Sequence, residues 1–333
     1  MLKVLYFSSE TKKKFGVYNV ISVLEKKLKT KISIKISKKI NDIVKHKPNL
    51  IHIHGCWKPH LFLVFIIAKI MSIKLVFSPH GMLDPYSFNQ KKIKKLIAWI
   101  LYQKILINFS DLVIVNSKIE KSNILNKINI NKKILVIKHG VLIDKSFRIK
   151  KSANKKIKFI FFSRIHPSKN LHSIINIWKN NYFFNKYELD IYGEITDQKY
   201  FRKINYHIKN EKNINYKGVI KNSVQKILVN YDVFLHPSES ENFGLVILEA
   251  MSAGLFLIVN KKLDWKDLAK KGYCYNIIFN SSNLIEKILI LEKKKLKIKN
   301  IIYRRKLYNY VKNNYNWDFI SDRYKDNYLF LVK

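Results

Sequence analysis

Short runs of strand-like apolar residues alternate with longer segments of helical spacing along nearly the whole chain, and no other property narrows its fold as sharply. Runs at 3–7, 50–54, 74–78, 112–116 and 134–137 carry the β-branched and aromatic residues of buried strands. Between them, Val17, Val20, Ile21, Leu24 and Leu28 share one helical face, as do Ile93, Leu96, Ile97, Ile100 and Leu101. Strands separated by helices pair in parallel, so the class is α/β. The pattern pauses at 148–156, a polar stretch containing Ser152, Ala153 and Asn154, and resumes with strands at 158–162, 189–192, 233–236, 256–259 and 273–278. We expect a linker there and two α/β domains, residues 1–150 and 151–333. Open parallel sheets bind ligands beyond the carboxyl ends of their strands, which directs attention to strand-to-helix loops and to a cleft between the domains. The last segment, about 303–331, has helical apolar spacing with Tyr308, Tyr310, Tyr315 and Trp317, and reads as a packing helix able to return to the N-terminal domain.

A chain of 333 residues with 47% hydrophobic side chains can bury a sizeable core, which excludes wholesale disorder. Its 64 Lys+Arg against 23 Asp+Glu give a net charge of +41. Such a surface attracts nucleic acid, anionic lipid or phosphorylated small molecules. The excess is nearly all lysine, spread along the whole length among abundant Ile and Asn, as an AT-biased coding sequence would produce. No arginine-rich arm marks a dedicated nucleic-acid binder. Cys56 and Cys274 have neither disulfide-framework nor zinc spacing and fit a reducing cytoplasm. The apolar N-terminal stretch is too short for a signal peptide and reads as a first strand. The longest apolar run, 61–68, is far below the roughly 20 residues a membrane-spanning helix needs, so membrane contact is expected to be peripheral.

The nine glycines form neither G-x-G-x-x-G nor G-x-x-x-x-G-K, which removes a dinucleotide fingerprint and a P-loop. No Asp-x-Asp pair offers the usual metal clamp for a sugar nucleotide.

The most informative string is HPSESENFGLVILEAMSAG at 236–254. Pro237 and Ser238 end a strand, Gly244 permits close backbone approach, and 245–248 opens a helix whose N-terminal amides suit an anion or a hydroxyl-rich ligand. Glu241 on the loop and Glu249 one turn into the helix can accept hydrogen bonds from vicinal hydroxyls; in isolation they would read as ordinary acidic residues near a helix start. At the end of an earlier strand, FSRIHPSKN at 162–170 carries Arg164 and Lys169, two cations able to hold a diphosphate and stabilise its departure.

The 236–254 string resembles the P-S-x-x-E-x-F-G-x-x-x-x-E-A-M-x-x-G signature of family 4 of the retaining glycosyltransferases, which have the GT-B fold of two facing Rossmann-like domains with an inter-domain cleft. The 162–170 string, Tyr192-Gly193 and Lys217-Gly218-Val219 resemble further elements of that family. The resemblance implies that Glu249 holds the donor ribose and Glu241 the donor sugar. Ser163, Asn242, Phe243, Gly244 and Leu245 would support sugar and phosphate, with Gly193 and Gly218 near the nucleotide. It implies a nucleotide-sugar co-substrate, no cofactor, no metal and no protein nucleophile, since the leaving phosphate helps deprotonate the acceptor.

In the first half, HIHGCW at 52–57 and SPHGMLDP at 78–85 resemble members that build bacterial surface polysaccharide or lipopolysaccharide, with His80 facing the donor sugar. The family's Gly-Gly loop is Phe15-Gly16 here, so only Gly16 carries over as a phosphate contact. The proline after the Glu pair is missing from GLFLI at 254–258, and His139 stands where an asparagine is usual. The expected function is transfer of a hexose-like sugar to a lipid-linked or lipopolysaccharide acceptor at the cytoplasmic face of the membrane. The competing reading is a basic protein that binds nucleic acid or anionic membrane on a glycosyltransferase-like scaffold; charge alone favours it, and nucleic acid is not an expected partner. Separately, Lys91, Lys92, Lys94 and Lys95 before Trp99 and Tyr102 fit either an amphipathic element resting on acidic lipid or a core-packing helix with a solvated basic start.

Overall fold

The computed structural model describes every residue except 10–15, 129–133, 145, 154, 222 and 264. It divides into two compact units, residues 1–140 with 315–333, and residues 141–314. The 150/151 boundary read from the sequence therefore falls inside the second unit, and the 148–156 stretch is docked on that unit: the Ser152 N–H donates to the Lys299 carbonyl at 3.1 Å. Asn154 lies outside the described residues.

The first unit holds six parallel strands, β1 (Lys3–Ser8), β2 (Ser33–Ser37), β3 (Leu50–His54), β4 (Lys74–Ser78), β5 (Leu112–Val115) and β6 (Ile134–Val136), in the order β2-β1-β3-β4-β5-β6. Every residue of β3 and β5 is buried; β5 is accordingly an unbroken apolar run, while β3 alternates aliphatic residues with the buried His52 and His54. The second unit repeats the plan with β7 (Lys158–Phe162), β8 (Glu188–Tyr192), β9 (Ile214–Tyr216), β10 (Val233–His236), β11 (Phe256–Asn260) and β12 (Cys274–Ile277), in the order β12-β11-β10-β7-β8-β9. Both units are Rossmann-like, as expected. The edge strands β2 and β9 are additional to those expected: β2 is mostly half-buried and polar at alternate positions, and β9 has three residues.

One helical expectation needs correction. The segment 303–331 is not one helix but two, Ile301–Asn314 in the second unit and Trp317–Val332 in the first, with the Asn316 side chain capping the latter by accepting from the Asp318 N–H at 3.0 Å. Trp317, Ile320, Tyr324 and Tyr328 enter the first unit's core against Val20, Ile21, Leu24 and Leu28 of the helix Gly16–Leu28. Lys27–Asp318 (2.5 Å) and Lys31–Asp322 ion pairs flank that contact. The apolar face of Ile93, Leu96, Ile97, Ile100 and Leu101 does not pack into the core; all five side chains are exposed.

The strand orders locate the ligand-binding edges. The order reverses between β1 and β3 in one sheet and between β7 and β10 in the other, and a crevice opens beyond the carboxyl ends at such points.

Candidate active site

In the second unit the loops after β7 and β10 leave the sheet side by side. After β7, the His166 side chain caps a short turn, Pro167–Lys169, and Asn170 follows with φ 53, a left-handed conformation that asparagine adopts at low cost. Three contacts join this loop to the next. Ser238 Oγ lies 3.1 Å from the Ser168 carbonyl and 2.9 Å from that of Ser240, one proton serving both. Asn170 Nδ2 donates to the Pro237 carbonyl at 3.4 Å, as Asn260 Nδ2 does at 3.1 Å. Lys169 Nζ donates to Glu241 Oε1 at 2.6 Å.

His236 Nε2 lies 2.7 Å from the same carboxylate oxygen and donates to it. Lys169 and His236 are buried, and Glu241 nearly so. Burial pushes the Glu241 carboxyl up, but the Lys169 ammonium and the His236 hydrogen bond outweigh it and hold its pKa at about 2. Glu241 is thus an anion at neutral pH, and Lys169 is tied to it rather than standing alone. Arg164 is exposed, and its guanidinium makes no ion pair among the described residues.

Gly244, with φ 75, caps the helix Leu245–Ser252. Phe243 is buried against Trp265, with ring centroids 6.0 Å apart, while Asn242 and Leu245 are half-buried. Glu249, one turn into the helix, is half-buried and burial pushes its carboxyl up to about 7. At the ends of β7, β8 and β9, Ser163, Gly193 and Gly218 come together. The Ser163 N–H donates to the Tyr192 carbonyl at 3.1 Å, and the Gly193 N–H to that of Gly218 at 2.9 Å. A Cβ on Gly193 would sit 1.7 Å from the Ser163 carbonyl oxygen, so glycine is required by close backbone approach.

The other two singled-out residues lie in the first unit. Gly16 is exposed at the start of its helix; Phe15 lies outside the described residues. His80 follows β4, two strands across from β1, and has φ 52, a left-handed backbone uncommon for a non-glycine residue. Sequence reasoning missed what surrounds it. His80 Nε2 is 2.9 Å from His54 Nδ1, its Nδ1 is 3.4 Å from Asn116 Nδ2, and its ring stacks on that of His139. Burial lowers the His80 pKa to about 4, so the ring is neutral near pH 7. Glu120 accepts from the Gly81 N–H and, at 2.7 Å, from the Asn116 N–H, fixing both loops; burial raises its carboxyl to about 7. Its signal was Ser117-x-x-Glu120, a capping box whose Ser117 Oγ accepts from the Glu120 N–H at 3.0 Å. Ring nitrogens of His52 face Tyr328 Oη (2.7 Å) and Ser78 Oγ (2.8 Å), so its hydrogen bonds are structural.

Comparisons with known proteins point the same way. The family model described as "Glycosyl transferases group 1" matches residues 143–313, and "Glycosyltransferase Family 4" matches residues 6–145. A Klebsiella pneumoniae protein described as an uncharacterized 41.2 kDa protein in the cps region is 26% identical over 73% of this chain and 69% of its own length. The phosphatidylinositol N-acetylglucosaminyltransferase GPI3 subunit of Saccharomyces cerevisiae is 21% identical over 66% of this chain, a match that spans only 50% of the yeast protein. Anabaena HepE in complex with UDP superposes with a TM-score of 0.77 over 98% of this chain and 99% of its own, at 17% identity. Sucrose-phosphate synthase from Thermosynechococcus elongatus gives 0.81 over 100% of both chains at 13% identity.

Proposed function

Because the chain belongs to the group 1 glycosyl transferases, with a family 4 glycosyltransferase match ahead of that region, we propose that it is a retaining, metal-independent enzyme moving a sugar from a nucleotide donor to a lipid-linked or surface-polysaccharide acceptor. The observation that carries this reading is the Lys169–Glu241–His236 cluster at the point where the second sheet reverses its order. Glu241, anionic and held from two sides, accepts hydrogen bonds from hydroxyls of the donor sugar. The Lys169 ammonium has three N–H donors; one bonded to Glu241 leaves two for a phosphate oxygen, and Arg164 adds a planar fork. Glu249 accepts from the ribose hydroxyls, and amides around Gly244 and Leu245 meet sugar and phosphate. Ser163, Gly193 and Gly218 shape the nucleotide's floor, Gly16 approaches its phosphate, and neutral His80 donates to or accepts from the sugar.

In the reaction the bond from the anomeric carbon to the diphosphate oxygen breaks. A bond from that carbon to the acceptor oxygen forms on the same face, and the acceptor's proton passes to the departing phosphate. The developing negative charge is met by Arg164 and Lys169. The HepE complexes with UDP, with UDP and glucose, and with UDP-glucose support a nucleotide-sugar donor. The Klebsiella relative in the cps region supports a cell-envelope acceptor. In this reading the enzyme works in the cytoplasm at the inner face of the membrane.

The test is transfer or donor hydrolysis with a panel of nucleotide sugars. Arg164→Ala is expected to lower kcat by about a hundredfold or more, the usual effect of removing one charge-stabilising donor. A chelator should leave turnover unchanged. Turnover indifferent to both Arg164→Ala and Glu249→Ala would refute the assignment.

A further inference from the structure

The exposed face of the first unit carries an inference of its own. The helix Pro59–Ile70 and the continuous helical stretch 92–109 lie side by side. Phe62 and Tyr102 have ring centroids 5.8 Å apart, and Tyr102 Oη donates to the Trp57 carbonyl at 2.9 Å. Both helices put one side into the same core, through Leu61, Val64 and Ala68 on one and Leu106 and Ile107 on the other. Their opposite sides are also apolar. Leu63, Ile66 and Ile70 are exposed on the first, Ile70 at 78%. On the second, Ile93, Ile100 and Leu101 are 77%, 66% and 63% exposed. Scattered surface aliphatics are ordinary, but two neighbouring helices each apolar on their outward side are not.

The backbone preserves this face. Residues Trp99–Gln103 form a π turn, which inserts one extra residue into the helix, and Gln103 is turned inward, its Oε1 accepting from the Trp57 N–H at 3.0 Å. Absorbing that residue leaves Ile105 and Phe109 exposed along with Ile97 and Leu101.

Charge identifies what covers the face. From Gly55 to Ser110 the chain has eight lysines, at 58, 69, 74, 91, 92, 94, 95 and 104, and a single acidic residue, Asp84. A second copy of the chain docked on the same face would bring these lysines together, a like-charge arrangement. No helix among the described residues is long and apolar enough to cross a membrane. We propose that this face is a docking surface for an anionic lipid bilayer, on which the 92–109 helix lies flat with its aliphatics among the acyl chains and Lys91, Lys92, Lys94 and Lys104 at the headgroups. The lipid partner deepens the reading above, in which the acceptor is carried on lipid, but the contact is measured without an acceptor.

Full-length protein is floated with phosphatidylcholine vesicles and with vesicles containing phosphatidylglycerol, at low and high salt. Wild type should float with the anionic vesicles only, and less at high salt. Combined Ile97→Ser, Ile100→Ser and Leu101→Ser should weaken binding at least about tenfold, as should Lys91→Gln, Lys92→Gln, Lys94→Gln and Lys104→Gln together. The control Leu296→Ser with Ile302→Ser, exposed aliphatics of the second unit, should bind as wild type. All four lysines are exposed, so that set tests the surface even where the aliphatic set fails to fold. Loss of binding with donor hydrolysis retained supports the surface. Binding unchanged in both sets, or lost equally in the control, overturns it, as does a self-association in sedimentation velocity that the aliphatic set abolishes while vesicle binding persists. Donor hydrolysis indifferent to Arg164→Ala would instead count against the catalytic reading and leaves the binding result standing.

Discussion

Glu241 and Glu249 occupy one loop and helix, yet their surroundings move them in opposite directions. Glu241 falls from the ordinary 4.5 to about 2, so the unfolded chain binds the extra proton between those values. Its stabilising effect is complete above pH 4.5 and is lost as pH falls towards 2. Glu249 rises to about 7, so its effect is complete below 4.5 and is lost as pH rises through 7. Two outcomes are expected for Glu249→Gln. The variant should be more stable than wild type at pH 8 in urea unfolding, with the difference vanishing near pH 5, because the amide removes a buried charge. Its donor KM should be higher at pH 8 and lose the fall that wild type shows between pH 6 and 8, because an ionised carboxylate is the stronger acceptor. A stability gain coupled to a binding loss is the pattern of a residue kept for function.

At the scale of elements, glycine positions separate two structural demands. Gly193→Ala sets a Cβ against the Ser163 carbonyl and should cost about 3 kcal/mol, the upper part of the overpacking range, read as a lower urea midpoint at unchanged slope. Gly218→Ala, at φ 81 with open space around the new Cβ, should cost about 1–2 kcal/mol, the left-handed penalty alone. Central strands such as β10 and β11 were legible because burial on both faces demands nearly continuous apolar runs. The edge strands β2 and β9 were not: β2 has polar residues at alternate positions, and β9 is only three residues with Asn215 at its centre, so neither stands out as an apolar run. The 236–254 string announced its loop and helix, but nothing in it showed that Glu241 would bond Lys169, because that requires the adjacency of β7 and β10. His80 was legible from its motif. The neighbours His54, Asn116, Glu120 and His139 came from three other segments that only the sheet order brings together.

For the whole molecule, the scarce arginines are instructive. Arg304 is fully buried, donating to the carbonyls of Val229 (2.7 Å), Tyr231 (3.1 Å) and Ala253 (3.2 Å), with the Asp232 carboxylate 3.5 Å away. Arginine thus serves in the core, and the surplus charge of +41 is carried chiefly by lysines on the surface. The first unit is built from two separated stretches, 1–140 and 315–333. Deleting residues 315–333 removes Trp317, Ile320, Tyr324 and Tyr328 from its core and should expose apolar surface that binds a hydrophobic dye and abolishes that unit's cooperative melt. Tyr328→Phe, which loses the hydrogen bonds to His52 and Tyr6, should cost only about 1–2 kcal/mol and keep the melt.

The helix Trp317–Val332 also imposes an order of events on synthesis. Residues 1–140 leave the ribosome first but cannot close their core, because Tyr328 and its neighbours are translated only after the entire second unit. The second unit, whose residues 141–314 are contiguous, can fold while the first still waits with the apolar side of the helix Gly16–Leu28 uncovered. A nascent chain halted before residue 315 should therefore be the aggregation-prone and chaperone-bound form, and the last helix the step that releases it.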